Sequence, residues 1–433
     1  MNISVFGLGY VGAVTSACLA EQGHRVIGVD LHAAKVAAFG RGQSPIIEPE
    51  IDALLQRATD GHLLGATLDV HAAVVETDVS IICVGTPSLP SGRLNLDYVH
   101  KVTAQIAKAI RNSEKTHILL YRSTMLPGST RALVTGMLAD LVASGQVRVY
   151  YCPEFLREGT AVKDFREPSL VVIGTQDGAP PADAAVCEIM GGQPSILAWE
   201  GAEMIKYSCN YFHALKVGFA NEIGRLCKHL GEDGTRVMDV LCADTRLNIS
   251  RYYMKPGNPY GGSCLPKDVS ALKSFARQEN LSLPLLENTA ATNAAHQDLF
   301  VSLIEGKAKR RIGFLGLAFK ADTDDLRGSP MVAAAETLLG RGYELCIYDP
   351  HLNLSRLIGA NEQQILARMP HLAQLLKQSA EEVLQSSEVI VVSQKCASFE
   401  TLQEMARPDQ IVIDVNGWRE LKDLPWQYEG ICW

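Results

Sequence analysis

No two of the chain's cysteines stand in a Cys-x-x-Cys pair, and their number, eleven in 433 residues, is odd. They are scattered along the whole chain. A disulfide framework and a structural zinc site are therefore not expected, and a reducing compartment is. No apolar run reaches the roughly 18 residues a spanning helix needs. The opening, MNISVFGLGYVG, lacks the basic and apolar regions of a secretory leader. The expectation is a cytoplasmic protein with no membrane partner. Positive charge is also short: 40 Lys and Arg face 48 Asp and Glu, for a net charge of -8. No strongly basic face is available for a nucleic acid. Aromatic residues are few, at 6%, yet 47% of the chain is hydrophobic and 20% charged. Disorder, collagen and coiled coil are excluded, and two or three globular domains are expected.

The N-terminal third alternates β-rich runs with helical spacing. Ile3 to Phe6, Arg25 to Val29, Val79 to Val84, Ile118 to Tyr121 and Val147 to Cys152 read as strands, and Tyr10 to Gln22 as a helix closed by Gly23. Glu200 to about Leu230 has no proline and reads as one long helix. Helical sequence then continues to about Asn293, interrupted by the turn-rich stretch 256–262. Arg311 to Gly316, Glu344 to Tyr348, Val389 to Ser393 and Ile411 to Val415 restart the strand pattern, with Ser329-Pro330 as a helix start. The predicted fold is α/β: two Rossmann-type doubly wound domains joined by a long central helix and helical connector. The expected division is 1–198, 199–298 and 299–433.

Gly7-Leu8-Gly9-Tyr10-Val11-Gly12 follows a strand and opens a helix. The first glycine permits a tight turn, the second lets a pyrophosphate approach, and the third lets helix and strand pack closely. Asp30, 23 residues after Gly7, ends the second strand. An acid there accepts from ribose hydroxyls and disfavours a 2′-phosphate, so NAD is expected over NADP. FAD uses the same fingerprint and is the competing cofactor. In the last third, Gly313, Gly316 and Asp349 either hold a second nucleotide or serve only the fold.

On the long helix, Ile205, Phe212, Leu215, Phe219, Ile223 and Leu226 share an apolar face. Lys206, Asn210, His213 and Asn221 fall opposite. Lys206 and Asn210 lie one turn apart and can donate to one oxyanion; the alternative is a solvated polar face. In Gly261-Gly262-Ser263-Cys264-Leu265-Pro266-Lys267-Asp268 the glycines give close backbone access. Lys267 would favour a Cys264 thiolate, and Asp268 could hold a water or relay a proton. The alternative is a buried structural cysteine, the description expected to fit most of the other ten. Together, a cysteine nucleophile and NAD suit oxidation of an aldehyde to an acid through a thioester.

GLGYVG (7–12), CVGTP (83–87), RST (122–124), PEFLREG (153–159), EMIKYSCN (203–210), GGSCLPKD (261–268) and GLAFKADTDDLRGSP (316–330) together resemble the nucleotide-sugar 6-dehydrogenases. These are the UDP-glucose and GDP-mannose dehydrogenases, and the resemblance runs essentially end to end. Leu247 to Met254 and the tail Glu429 to Trp433 look like the GDP-mannose branch, which makes GDP-mannuronate for alginate. Lys255 stands where that branch leads one to expect Arg, and Asn258-Pro259-Tyr260 where it carries an aromatic-rich stretch. The resemblance implies that Gly7, Gly9, Tyr10, Val11, Gly12, Asp30, Lys35, Thr86 and Thr124 bind NAD, with Lys267 and Arg327 reaching it from other domains. It makes Cys264 the nucleophile, with Lys206 and Asn210 at the oxyanion. Asp268 positions a water or assists proton transfer, and Glu154 is the base for thioester hydrolysis. Thr124 belongs to the catalytic set as well. Glu158 helps hold the sugar. His213, Asn221, Tyr252, Tyr253, Lys255, Asn258, Gly261 and Lys320 contact the nucleotide sugar. No metal is implied. A homodimer or higher homo-oligomer is, with C-terminal domains exchanged between partners in the GDP-mannose branch.

Three rival readings remain at this level. A UDP-sugar dehydrogenase would share the chemistry with a different base pocket. A one-step dehydrogenase of the 3-hydroxy-acid type would use Lys and Asn on a helix and have no need of Cys264. A nucleotide-binding sensor would have lost catalysis, against which stands the intact set of Cys264, Lys206, Asn210, Glu154 and Asp268.

Overall fold

The computed structural model describes residues 1–87, 89–91, 93–113, 115–250, 256–262, 265–318, 326, 328–352 and 372–433. The side chains at 217, 218 and 267 lie outside that set. The chain divides into two compact units, Met1–Leu215 and Lys216–Trp433, with the division inside the helix Trp199–His229.

In the first unit the strands are β1 (Asn2–Phe6), β2 (Arg25–Val29), β3 (Leu64–Thr67), β4 (Val79–Ile82), β5 (His117–Tyr121), β6 (Val147–Tyr151), β7 (Val172–Thr175) and β8 (Ser195–Ala198). They form one sheet in the order β3-β2-β1-β4-β5-β6-β7-β8. Every pairing is parallel except β6 with β7. The first six follow the doubly wound Rossmann order, with the switch point between β1 and β4. Parallel strands are covered on both faces, which is why they read as continuous apolar runs. Ile3 and Val5 join one buried apolar layer and Phe6 the other. Each such side chain contributes about 1.5–3 kcal/mol by leaving water.

In the second unit the strands are β9 (Arg311–Leu315), β10 (Glu344–Tyr348), β11 (Val389–Val392), β12 (Ile411–Asp414) and β13 (Gln427–Gly430). Their order is β10-β9-β11-β12-β13, all parallel. This is the second common doubly wound order, with its switch point between β9 and β11. The helices Leu265–Gln278 and Pro284–Glu305 precede the sheet in sequence. Ser329 caps the helix Pro330–Gly340 by accepting from the N–H groups of Met331 and Val332, as its sequence predicts.

The fold class expected from the sequence holds in both sheets. Four strands, β3, β7, β8 and β13, escape the sequence reading. β3, β8 and β13 are edge strands with a single neighbour, so they need no unbroken apolar run. β7 is interior but carries Gly174, where a Cβ would stand 2.8 Å from Ala202 Cβ. The helical sequence also runs past Asn293, to Glu305. Among the described residues no helix is long and apolar enough to cross a membrane, and no cluster of His, Cys, Asp and Glu could hold a metal ion.

Candidate active site

The three fingerprint glycines do three different things. Gly7 has φ +96°, and a Cβ there would meet the Cys83 and Val84 backbone at 3.0 Å. At Gly12 a Cβ would fall 1.8 Å from the Gly7 carbonyl oxygen, so only glycine lets the helix Tyr10–Glu21 start against the turn. At Gly9 nothing of the protein lies within 4 Å. Packing does not demand that glycine, and the backbone beside it is open to the approach a pyrophosphate would need. Asp30 accepts from the N–H of Leu8 at 2.8 Å and of His32 at 2.9 Å. Lys35 stands 3.8 Å from the same carboxylate. The Thr86 hydroxyl donates to the Thr124 carbonyl at 2.9 Å, joining the turns after β4 and β5. These residues fit a dinucleotide along the carboxyl ends of β1, β2, β4 and β5. Val11 lies in the first turn of the fingerprint helix.

Tyr10 is more engaged than the sequence suggests. Its hydroxyl donates to Glu48, a carboxylate that sequence reasoning missed. Glu48 is only 7% exposed and also accepts from the N–H of Gly159 and of Ala161, each at 2.7 Å. Burial opposes its charge, but the Tyr10 hydroxyl and the N–H groups of Gly159, Ala161 and Val162 outweigh it and hold the carboxyl below its ordinary value. Burial and the Glu48 carboxylate push Tyr10 up to about 12. No periodicity marks Glu48; its one sequence sign is an acid set between Ile47 and Pro49.

Lys206 and Glu154 form an ion pair at 2.7 Å. Lys206 Nζ also donates to the Glu154 carbonyl at 2.7 Å and lies 5.5 Å above the Phe155 ring. Glu154 accepts in addition from the Leu156 N–H at 2.8 Å. The two bonds use two of the three Nζ hydrogens and leave a third for another acceptor. Asn210 follows one turn later and is exposed, as are His213, Asn221 and Glu158.

On the long helix Lys206, opposite the apolar face, is 6% exposed, while Phe212 and Phe219 of that apolar face are 41% and 40% exposed. Position along the helix, more than face, decides burial. Its first turns are tied down by Glu203, whose carboxylate accepts from the N–H groups of Gly128 and Thr130 and from the Thr130 hydroxyl at 2.6–2.8 Å. Glu200 adds an ion pair with Arg131 at 2.5 Å.

In the second unit, Asp268 is exposed in the first turn of the helix Leu265–Gln278, and Asn258 is exposed. Gly261 proves to be a packing glycine: a Cβ there would come within 2.3 Å of the Gly328 carbonyl oxygen and 2.7 Å of Pro330. The Gly262 N–H donates to that same carbonyl at 3.2 Å. The glycine pair thus seats residues 261 and 262 against Gly328, just before the helix Pro330–Gly340. Cys264, Tyr252, Tyr253, Lys255, Lys320 and Arg327 lie outside the described residues, as does the Lys267 side chain. Gly313 is explained by packing, since a Cβ would stand 2.5 Å from Ser387 Oγ. Asp349 accepts from Leu317 and Ala318 at 2.9 and 3.0 Å, repeating beside β9 what Asp30 does beside β1.

The ten described cysteines are unpaired. Only Cys18, Cys83, Cys152 and Cys227 are buried, fewer than expected. Burial pushes the thiols of Cys18, Cys83 and Cys152 up to about 12, which keeps them inert.

Comparison with known proteins finds one family along the chain. The NAD-binding domain of the UDP-glucose/GDP-mannose dehydrogenase family matches residues 1–189, its central domain 200–295, and its UDP-binding domain 313–420. GDP-mannose 6-dehydrogenase of Pseudomonas putida is 43% identical over 439 residues, covering 100% of both chains. A crystal structure of a ternary complex of GDP-mannose dehydrogenase from Pseudomonas aeruginosa superposes with a TM-score of 0.93 at 43% identity, over 100% of both chains. A UDP-glucose dehydrogenase from Pyrobaculum islandicum reaches 0.54 at 31% identity, over 100% of this chain and 97% of its own. With NAD for its cofactor and a nucleotide-sugar dehydrogenase's domains along its length, the chain belongs to the UDP-glucose/GDP-mannose dehydrogenase family.

Proposed function

We propose that this enzyme oxidises GDP-mannose at C6 to GDP-mannuronate, a precursor of alginate-type polysaccharide, in two successive two-electron steps. What carries the reading is the full-length likeness to GDP-mannose dehydrogenase, at 43% identity and a TM-score of 0.93, against 31% and 0.54 for a UDP-glucose dehydrogenase. NAD, when bound along Gly7–Gly12, Asp30, Lys35, Thr86 and Thr124, accepts the hydride lost from C6 in each oxidation. The Cys264 thiolate adds to the C6 aldehyde and forms a hemithioacetal, which loses hydride to become a thioester. Lys206 and Asn210 donate to the oxygen that gains charge as the carbonyl is attacked. Water then attacks the thioester carbon while Glu154 takes its proton, and the C–S bond breaks to return the thiolate and release the carboxylate. Asp268 orients that water. Glu158, His213, Asn221, Tyr252, Tyr253, Lys255, Asn258, Gly261 and Lys320 hold the sugar nucleotide, while Lys267 and Arg327 complete the NAD site.

We further infer a three-domain division at 1–198, 199–298 and 299–433, a cytoplasmic location and a homodimer, with exchanged C-terminal domains. The exposure of Tyr211, Phe212 and Phe219 on the long helix supports a partner surface.

The test is the yield of NADH per sugar nucleotide consumed, with GDP-mannose and UDP-glucose offered in parallel. Two NADH per GDP-mannose, with UDP-glucose inert, is the expected result. Two per UDP-glucose would overturn the substrate and point to Lys255–Tyr260. One NADH with aldehyde accumulating would overturn the thioester route.

A further inference from the structure

Glu48 is joined to two other stretches of chain, at Tyr10 and at 159–161. It sits in the turn before the helix Ile51–Asp60. Its Oε2 accepts from the Tyr10 hydroxyl, inside the dinucleotide fingerprint, and from the Gly159 N–H at 2.7 Å; the Gly159 N–H also reaches the Tyr10 oxygen at 3.0 Å. Its Oε1 accepts from the Ala161 N–H at 2.7 Å. The last two N–H groups open the helix Ala161–Arg166, whose own N-cap, Thr160, makes no side-chain cap bond. A carboxylate from more than a hundred residues away therefore does the capping. Between β6 and that helix runs the loop 152–160. It carries Glu154, bonded to Lys206, and Glu158. The loop is held near its start by Lys206 and at its end by Glu48, with Tyr10 at Gly159 and Asp164 holding Arg157 and Thr160; between them Phe155 and Leu156 pack on the apolar layers.

We propose that Glu48 is a positioning residue for the reaction: it locks the loop bearing Glu154 and Glu158 to Tyr10 of the dinucleotide fingerprint, and so sets Glu154 for thioester hydrolysis. This rests on the function proposed above. Glu154 makes its contribution in the hydrolytic step, after both hydrides have left. Loss of the clamp therefore slows the second half of the reaction more than the first, whereas general damage to the fold slows both.

The experiment compares wild type with Glu48→Gln and Tyr10→Phe, each first checked for a native thermal transition. The rate of the pre-steady-state burst, two NADH per site, is read beside steady-state kcat. For Glu48→Gln kcat should fall about tenfold or more while the burst rate changes less than about threefold, with an acyl group retained on Cys264 by mass spectrometry. Tyr10→Phe should shift both readouts the same way by a smaller factor. Equal losses in burst and kcat, or no loss, would overturn the proposal. Hydrogen exchange at residues 159–162 needs no turnover. Amides there that exchange as slowly in Glu48→Gln as in wild type would overturn the clamp whatever the substrate. Fast exchange in the variant, beside a wild type that gives no burst on GDP-mannose, would support the clamp and overturn the underlying function.

Discussion

Lys206 and Glu154 hold each other at 2.7 Å with side chains 8% and 13% exposed. At that depth each charge depends on the other, because an ion left alone is poorly solvated. Lys206→Met keeps the length of the side chain and removes the ammonium. It should lower stability by about 3 kcal/mol, as for other buried pairs broken on one side. It should also lower kcat by about a hundredfold or more, through loss of the oxyanion donor proposed above. Urea unfolding and steady-state kinetics on the same preparation separate the two effects. An unchanged urea midpoint with full activity would show that Lys206 is dispensable in both roles. The fingerprint residues around Gly7 were legible in the sequence because glycine at fixed spacing states a backbone requirement directly. Lys206 was legible only as a candidate donor, since nothing in the helix periodicity reveals that Glu154 meets it.

At the scale of elements, helix ends carry much of what links distant parts of the first unit. The helix Ala161–Arg166 is capped by Glu48, and Glu203 caps the helix Ser129–Thr135 by accepting from Gly128 and Thr130. The helix Ile51–Asp60 begins differently, at Glu50 with φ +67°, a left-handed conformation that costs a side-chain-bearing residue about 1–2 kcal/mol. An ion pair of Glu50 with Arg166 at 2.9 Å offsets part of this, and Arg166 also pairs with Glu21 at 2.8 Å. Exposed pairs contribute at most about 1 kcal/mol. Glu50→Gly should therefore raise stability by up to about 1 kcal/mol, after allowance for the added freedom of the unfolded chain. A rise in Tm would agree, and a fall would mean that the Arg166 pair outweighs the backbone strain.

For the whole molecule, the buried polar chain through the first sheet sets a pH limit. Ser4 Oγ meets Ser80 Oγ at 2.8 Å, and Ser80 Oγ meets His117 Nε2 at 2.8 Å. Burial lowers the His117 pKa from 6.5 to about 4, with Asp78 acting against the shift and Lys115 with it. Folding thus favours neutral imidazole. Between pH 6.5 and 4 the unfolded chain binds a proton that the folded chain does not. The stabilisation is complete above pH 6.5 and is lost as pH falls toward 4, by at most about 3 kcal/mol. His117→Gln keeps an acceptor for Ser80 and removes the titration. Urea midpoints at pH 7 and pH 4.5 should lie closer together in that variant than in wild type, and an equal separation would sink the idea.

By itself the sequence determined the two doubly wound sheets, the long helix, the NAD fingerprint and the motif set of the dehydrogenase family. These follow from local rules: period, glycine spacing, and acids and prolines at element ends. Only the tertiary structure decided that Glu48 and Glu203 cap helices remote from them in sequence. It also decided that Lys206 is buried against Glu154 while Phe212 and Phe219 are exposed, and that Gly261 seats against Gly328. Edge strands such as β3 and β13 belong with these. The reason is common to all: each depends on which partner a carboxylate, an ammonium, a Cβ-free carbon or a strand edge meets, and that partner is brought near only by the folded chain.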